Sequence, residues 1–128
     1  MKWILGSVML VSFGAFAETW YPTSADARQL LGTLNLSEAQ AKFDKGLVLE
    51  LTPDTDYSKV TKVFAPKSIL NQICGQSKIT ALTTQQIKIG NSVTMLKVGF
   101  FSAPPGKNPE FQPNLCVEYR FSPTAGKL

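Results

Sequence analysis

No histidine occurs anywhere in the 128 residues. That absence removes Ser-His-Asp triads, Cys-His nucleophile pairs, histidine-ligated zinc and imidazole general bases together. Cysteine is nearly as scarce. Only Cys74 and Cys116 are present, with no Cys-x-x-Cys of the redox or zinc-binding kind. Charge is sparse at 17% of residues, and it forms no run. Lys42 and Lys45, Lys59 and Lys62, Lys78, Lys88 and Lys97 are scattered along the chain, so the basic stripe of a nucleic-acid binder is missing. Pro66-Lys67-Ser68 has no glycine run before it and is no phosphate loop, and no dinucleotide fingerprint occurs. No cofactor and no nucleic-acid partner are expected.

Long apolar runs are absent except at the start. Met1-Lys2 is a short positive opening, and Trp3 to Phe16 is apolar or small throughout. Ala15-Phe16-Ala17 follows with the small-x-small pattern of a signal-peptidase site. The run is short for a membrane span. Residues 1–17 therefore read as a cleaved signal peptide, with cleavage after Ala17 and release to the bacterial periplasm or medium. No cysteine stands at the cleavage point to carry a lipid, and Thr124 to Leu128 is no hydrophobic tail. A product without a stable membrane anchor is expected.

Residues 18–128 have the size of a single small domain. Losing Lys2 leaves 12 basic and 9 acidic side chains, a mild excess of +3. In an oxidising compartment Cys74 and Cys116 read as a disulfide. They lie 42 positions apart, a loop whose closure in the unfolded chain is worth about 4 kcal/mol in the chain-entropy picture.

Along the mature chain, Trp20 and Tyr21 before Pro22 are expected to fold back onto the edge of the core. Thr23 or Ser24 caps a first helix, with Asp26 in its first turn and Ala27, Leu30, Leu31 and Leu34 at helical spacing. Ser37 and Gln40 have capping-box spacing, and Leu36 can staple onto Ala41, which predicts a second helix through Phe43 that ends at Gly46. From Leu47 the period changes to two. Leu47, Leu49 and Leu51 alternate with Val48, Glu50 and Thr52. Pro53 to Asp56 is a turn, and Lys59 to Phe64 is β-branched enough for a strand. Pro66 opens a third helix with Ile69, Leu70, Ile73 and Cys74 on one side.

Ile79–Ile89 and Val93–Phe101 predict a hairpin about Gly90-Asn91. In the two-residue register Ala81, Thr83, Ile87 and Ile89 share a face with Thr94, Leu96, Val98 and Phe100. A slip by one residue would bring Val93 and Met95 inward instead. Leu115, Val117, Tyr119 and Phe121 alternate with Cys116, Glu118 and Arg120 in a last strand. The bridge to Cys74 fits best at the start of that strand, near a sheet edge. The expected fold is α+β: a short N-terminal helical pair plus a third helix packed on an antiparallel sheet of four to five strands, with one disulfide.

Without histidine, a hydrolase would have to run on two carboxylates. Glu50 and Glu118, both mid-strand, are the candidate pair, and exposed ion-paired roles are the simpler reading. Asp54-Thr55-Asp56 opens like a calcium loop, but Lys59 and Ala65 stand where such a loop needs glycine and glutamate. No metal is expected. What is left is a binding surface. Residues 103–114 form a long loop with four prolines, stiff before binding, and Phe111 is an aromatic that such a loop can present. Pro104, Pro105, Lys107, Pro109, Glu110, Phe111 and Pro113 are the candidate binding residues. The expectation is a non-catalytic binding protein of the envelope, of the inhibitor or immunity kind, with a protein partner. The alternatives are a carboxylate hydrolase acting on cell-wall or glycan material, or a subunit of an envelope assembly.

Overall fold

A computed structural model describes residues 17–75, 77–89, 92–108 and 111–124. The expected signal segment lies outside these residues, apart from Ala17. Eight strands form one closed antiparallel barrel in sequence order. They are β1 (Glu18–Pro22), β2 (Leu34–Leu36), β3 (Gln40–Phe43), β4 (Val48–Pro53), β5 (Ser58–Phe64), β6 (Ala81–Ile89), β7 (Ser92–Phe101) and β8 (Leu115–Ser122). Two short helices, α1 (Ala25–Leu30) and α2 (Lys67–Ile73), complete the fold. The expected α+β arrangement on a four- to five-stranded sheet is therefore overturned.

The chain departs from the expected helices at Ser37. The expected second helix is the β2–β3 hairpin. Ser37 donates its backbone N–H to the Gln40 carbonyl at 2.9 Å, and its hydroxyl donates to the same oxygen at 3.3 Å. A separation of three residues suits a capping box and a tight turn equally. Leu36 and Ala41 do meet, but as cross-strand partners beside Leu34 and Phe43. Two strands of three and four residues are too short to display a period of two. Gly46 ends no helix either. It sits at φ 116° in the β3–β4 turn.

The other two helices stand where their caps place them. The Ser24 hydroxyl accepts from the Ala27 N–H at 3.1 Å. Gly32, at φ 74°, ends α1 and donates to the Ala27 carbonyl. Leu31 is thereby the last residue on the helical stripe, and Leu34 turns inward from β2 instead. Pro66 precedes α2 in extended conformation, and Ile69 and Ile73 are buried beneath it.

Inward residues fill the barrel, as is usual for eight strands. Phe43, Phe100 and Phe121 meet at its centre, with ring centroids 5.8 and 6.1 Å from Phe43. Trp20 is buried in the same core, on β1 rather than at an edge. Lys42, Glu50, Lys62, Lys97, Glu118 and Arg120 occupy outward register positions. This is the reverse of a membrane-spanning barrel, whose outer band is apolar. Among the described residues no helix is long and apolar enough to cross a membrane.

The β6–β7 hairpin forms as expected, and Ile89 pairs with Ser92 about the two residues that lie outside the description. Leu96, Val98 and Phe100 face inward. Their partners on β6 are Gln86, Thr84 and Leu82, so Ala81 and Thr83 face outward, against expectation. Polar Thr84 is tolerated on the inward face because it stands at the open mouth. Outside, the Phe101 ring and Leu115 side chain lean over Gly99, where a Cβ would lie 3.1 and 3.4 Å from them.

The two ends of the barrel differ. Hairpin turns 37–39 and 54–57 ring an open mouth. The opposite end carries α1, α2 and the 102–114 loop. The disulfide Cys74–Cys116 ties the last turn of α2 to β8, with Cα atoms 5.0 Å apart. Phe101 pairs with Leu115 and Phe100 with Val117, so Cys116 is the extra residue of a bulge. That bulge frees Cys116 from strict alternation and turns Leu115 to the outer face. At this height β1 does not reach β8, because their pairing is confined to Tyr21–Ser122 and Pro22–Phe121. The start of β8 is thus the local sheet edge that the bridge requires.

Candidate functional site

Beyond Phe101 the chain leaves the barrel and returns at Leu115. Ser102 closes the base of this loop by donating its N–H to the Asn114 carbonyl at 3.0 Å. Gln112 holds the interior. Its side-chain oxygen accepts from the Gly106 N–H at 2.8 Å, and its amide donates to the carbonyls of Gly106 at 3.0 Å and Asn108 at 2.8 Å. The Phe111 N–H donates to the Asn108 carbonyl at 3.1 Å. These bonds tie the described parts of the loop, residues 102–108 and 111–114, to each other, and the bridge at Cys116 fixes its return.

Phe111 is 67% exposed, so its ring does not pack the loop onto the barrel. Pro104, Lys107 and Pro113 are also exposed, and Pro105 is half-buried. Pro109 and Glu110 lie outside the described residues. Gln112 escaped the sequence reading. A long amide among four prolines was its only signal, and nothing local says which carbonyls it will reach.

Glu50 and Glu118 are not brought together. They project outward from β4 and β8, four strands apart in a ring of eight. Glu118 pairs instead with Lys97 at 3.7 Å. Asp54 spends its carboxylate on the turn, accepting from the Thr55 N–H at 2.8 Å. Among the described residues no three potential metal ligands cluster. The mouth encloses about 590 Å³ over Leu36, Leu51 and Leu82, with Glu18 and Glu38 at the rim. Glu18 also accepts the Trp20 indole N–H at 3.3 Å.

No family model, no curated protein and no solved structure matches this chain.

At the helix end, Tyr119 lies between α1 and α2 beside Asp26, Gln29 and Gln72. Burial raises its phenol above the ordinary 10.0, and the Asp26 carboxylate raises it further. The folded protein thus holds the Tyr119 proton more tightly than the unfolded chain does. The resulting stabilisation is fully present below about pH 10 and is lost as pH rises through the folded value. The denaturant midpoint should accordingly fall as pH rises above about 10. Tyr119→Phe should flatten that fall. An equally steep fall in the variant would place the alkaline sensitivity elsewhere, as at Tyr57, which burial and Asp54 also raise.

Proposed function

We infer that the chain is an exported, non-catalytic binding protein of the bacterial envelope, acting as an inhibitor or immunity protein on one protein partner. The observation that carries this reading is the exposed Phe111 ring on a loop braced by Gln112 and by the disulfide. An aromatic held out to water on a stiff support loses little entropy when it enters a partner's pocket. The opposed placement of Glu50 and Glu118 removes the pair that the sequence offered to the hydrolase alternative.

The test is affinity capture from envelope extract with the oxidised chain, followed by titration of the dominant captured protein. Phe111→Ala should weaken that interaction by about 2 kcal/mol or more while leaving the melting temperature unchanged. Gln112→Ala should weaken it less, because it loosens the support without removing the anchor. Equal affinity for the wild type and Phe111→Ala would take the loop out of the account.

A further inference from the structure

We propose that the seam between β5 and α2 is a second docking site, which takes an extended acidic peptide as an added strand. Barrel closure is incomplete here. Pairing of β5 with β6 covers only Ser58–Leu82 and Lys59–Ala81, and ends with the Val60 N–H donating to the Thr80 carbonyl at 2.9 Å. Thr61 is the extra residue of a bulge, and from Lys62 to Phe64 the chain pairs with β4 on one side. Among the described residues no strand pairs with it on the other. The three regular residues of bare edge span about 10 Å, enough for a short strand to add.

A cavity of about 710 Å³ runs along this edge. Val63, Leu70 and Ile79 give it apolar walls, and Lys62, Lys67 and Lys78 stand around it with no acidic residue among the lining groups. The three lysines are exposed, and among the described residues none has an ion-pair partner. Lysine on a bare edge discourages pairing with unsuitable chains. A second copy of this protein would bring the same three positive charges and be repelled. An acidic strand is instead attracted, and its alternate apolar side chains can fill the groove. Phe64, 51% exposed at the end of the edge, offers a further apolar contact. This surface is separate from the Phe111 loop, so either site can fail without the other.

The probe is a peptide of about six residues alternating valine and glutamate, titrated into the full oxidised chain at low salt with amide exchange followed residue by residue. Binding should appear with new protection confined to Thr61–Phe64. Affinity should fall roughly tenfold in the combined Lys62→Gln, Lys67→Gln and Lys78→Gln variant. It should also fall in the wild type as salt is raised, a readout that needs no variant to fold. A proline at the peptide centre should abolish binding, since it removes a ladder donor. No binding, equal binding of a valine–lysine peptide, salt-independent binding, or protection elsewhere would overturn the proposal. So would capture of anionic phospholipid vesicles without capture of the peptide.

Discussion

Replacing Cys74 and Cys116 together by alanine is expected to lower the melting temperature by roughly 15–30 °C, the equivalent of about 4 kcal/mol in a domain of this size. The size follows from the sequence separation of 42 between the two positions. The bridged segment includes the whole β6–β7 hairpin and the 102–114 loop, so the unfolded chain gains much freedom when the bond is lost. Two native features lose their support as well. The bridge holds α2 over the helix end of the barrel, and it fixes the return of the candidate binding loop. Total stability is typically about 5–15 kcal/mol, so the loss is a large fraction of the whole. Thermal melts of the oxidised chain, the reduced chain and the double variant provide the check. The last two should agree. A shift of only a few degrees would mean that the barrel closes without its staple.

Phe43→Ala is expected to cost about 3–5 kcal/mol, comparable to loss of the disulfide. Phe43 is 1% exposed and is the residue about which the rings of Phe100 and Phe121 gather. Those two neighbours come from β7 and β8 and Phe43 from β3, so the cavity would open in the middle of the barrel. Apolar walls on every side cannot collapse into it without drawing strands together, and the cost should therefore approach the upper end of the range. Lys42→Ala, one residue away on the outer face, should change stability by no more than about 0.5 kcal/mol. Denaturant unfolding of the two variants makes the comparison. Similar losses at both positions would contradict the inward and outward assignment of β3.

Much of the chain from Leu47 onward was legible. Alternation in Leu47, Leu49 and Leu51, the turn at Pro53 and the long β-branched hairpin strands all survive in the barrel. The Ser24 cap and Pro66, which stands just before α2 where the sequence put it in the first turn, marked the starts of two helices. Ser37 to Phe43 misled because its spacing satisfies a helix start and a hairpin turn alike, and short strands carry little periodic signal. The choice between them is made by closure. Thr23 donates to the Arg120 carbonyl across 97 positions of sequence, a contact that no local pattern announces. The same limit applies to the sites. Prolines marked the loop, and Phe111 was a visible aromatic, but the bracing by Gln112 is tertiary. The seam groove was invisible, since its lysines are dispersed in sequence and meet only where β5 and β6 part.

Barrel closure turns Ser37–Phe43 into a hairpin, positions the loop and leaves the seam. Nuclear Overhauser contacts in the oxidised chain test it most directly. Cross-strand contacts should appear for both Tyr21–Ser122 and Lys59–Ala81, with strand-like shifts at Gln40 to Phe43. Absence of either contact, together with helical shifts from Ser37 to Phe43, would contradict it.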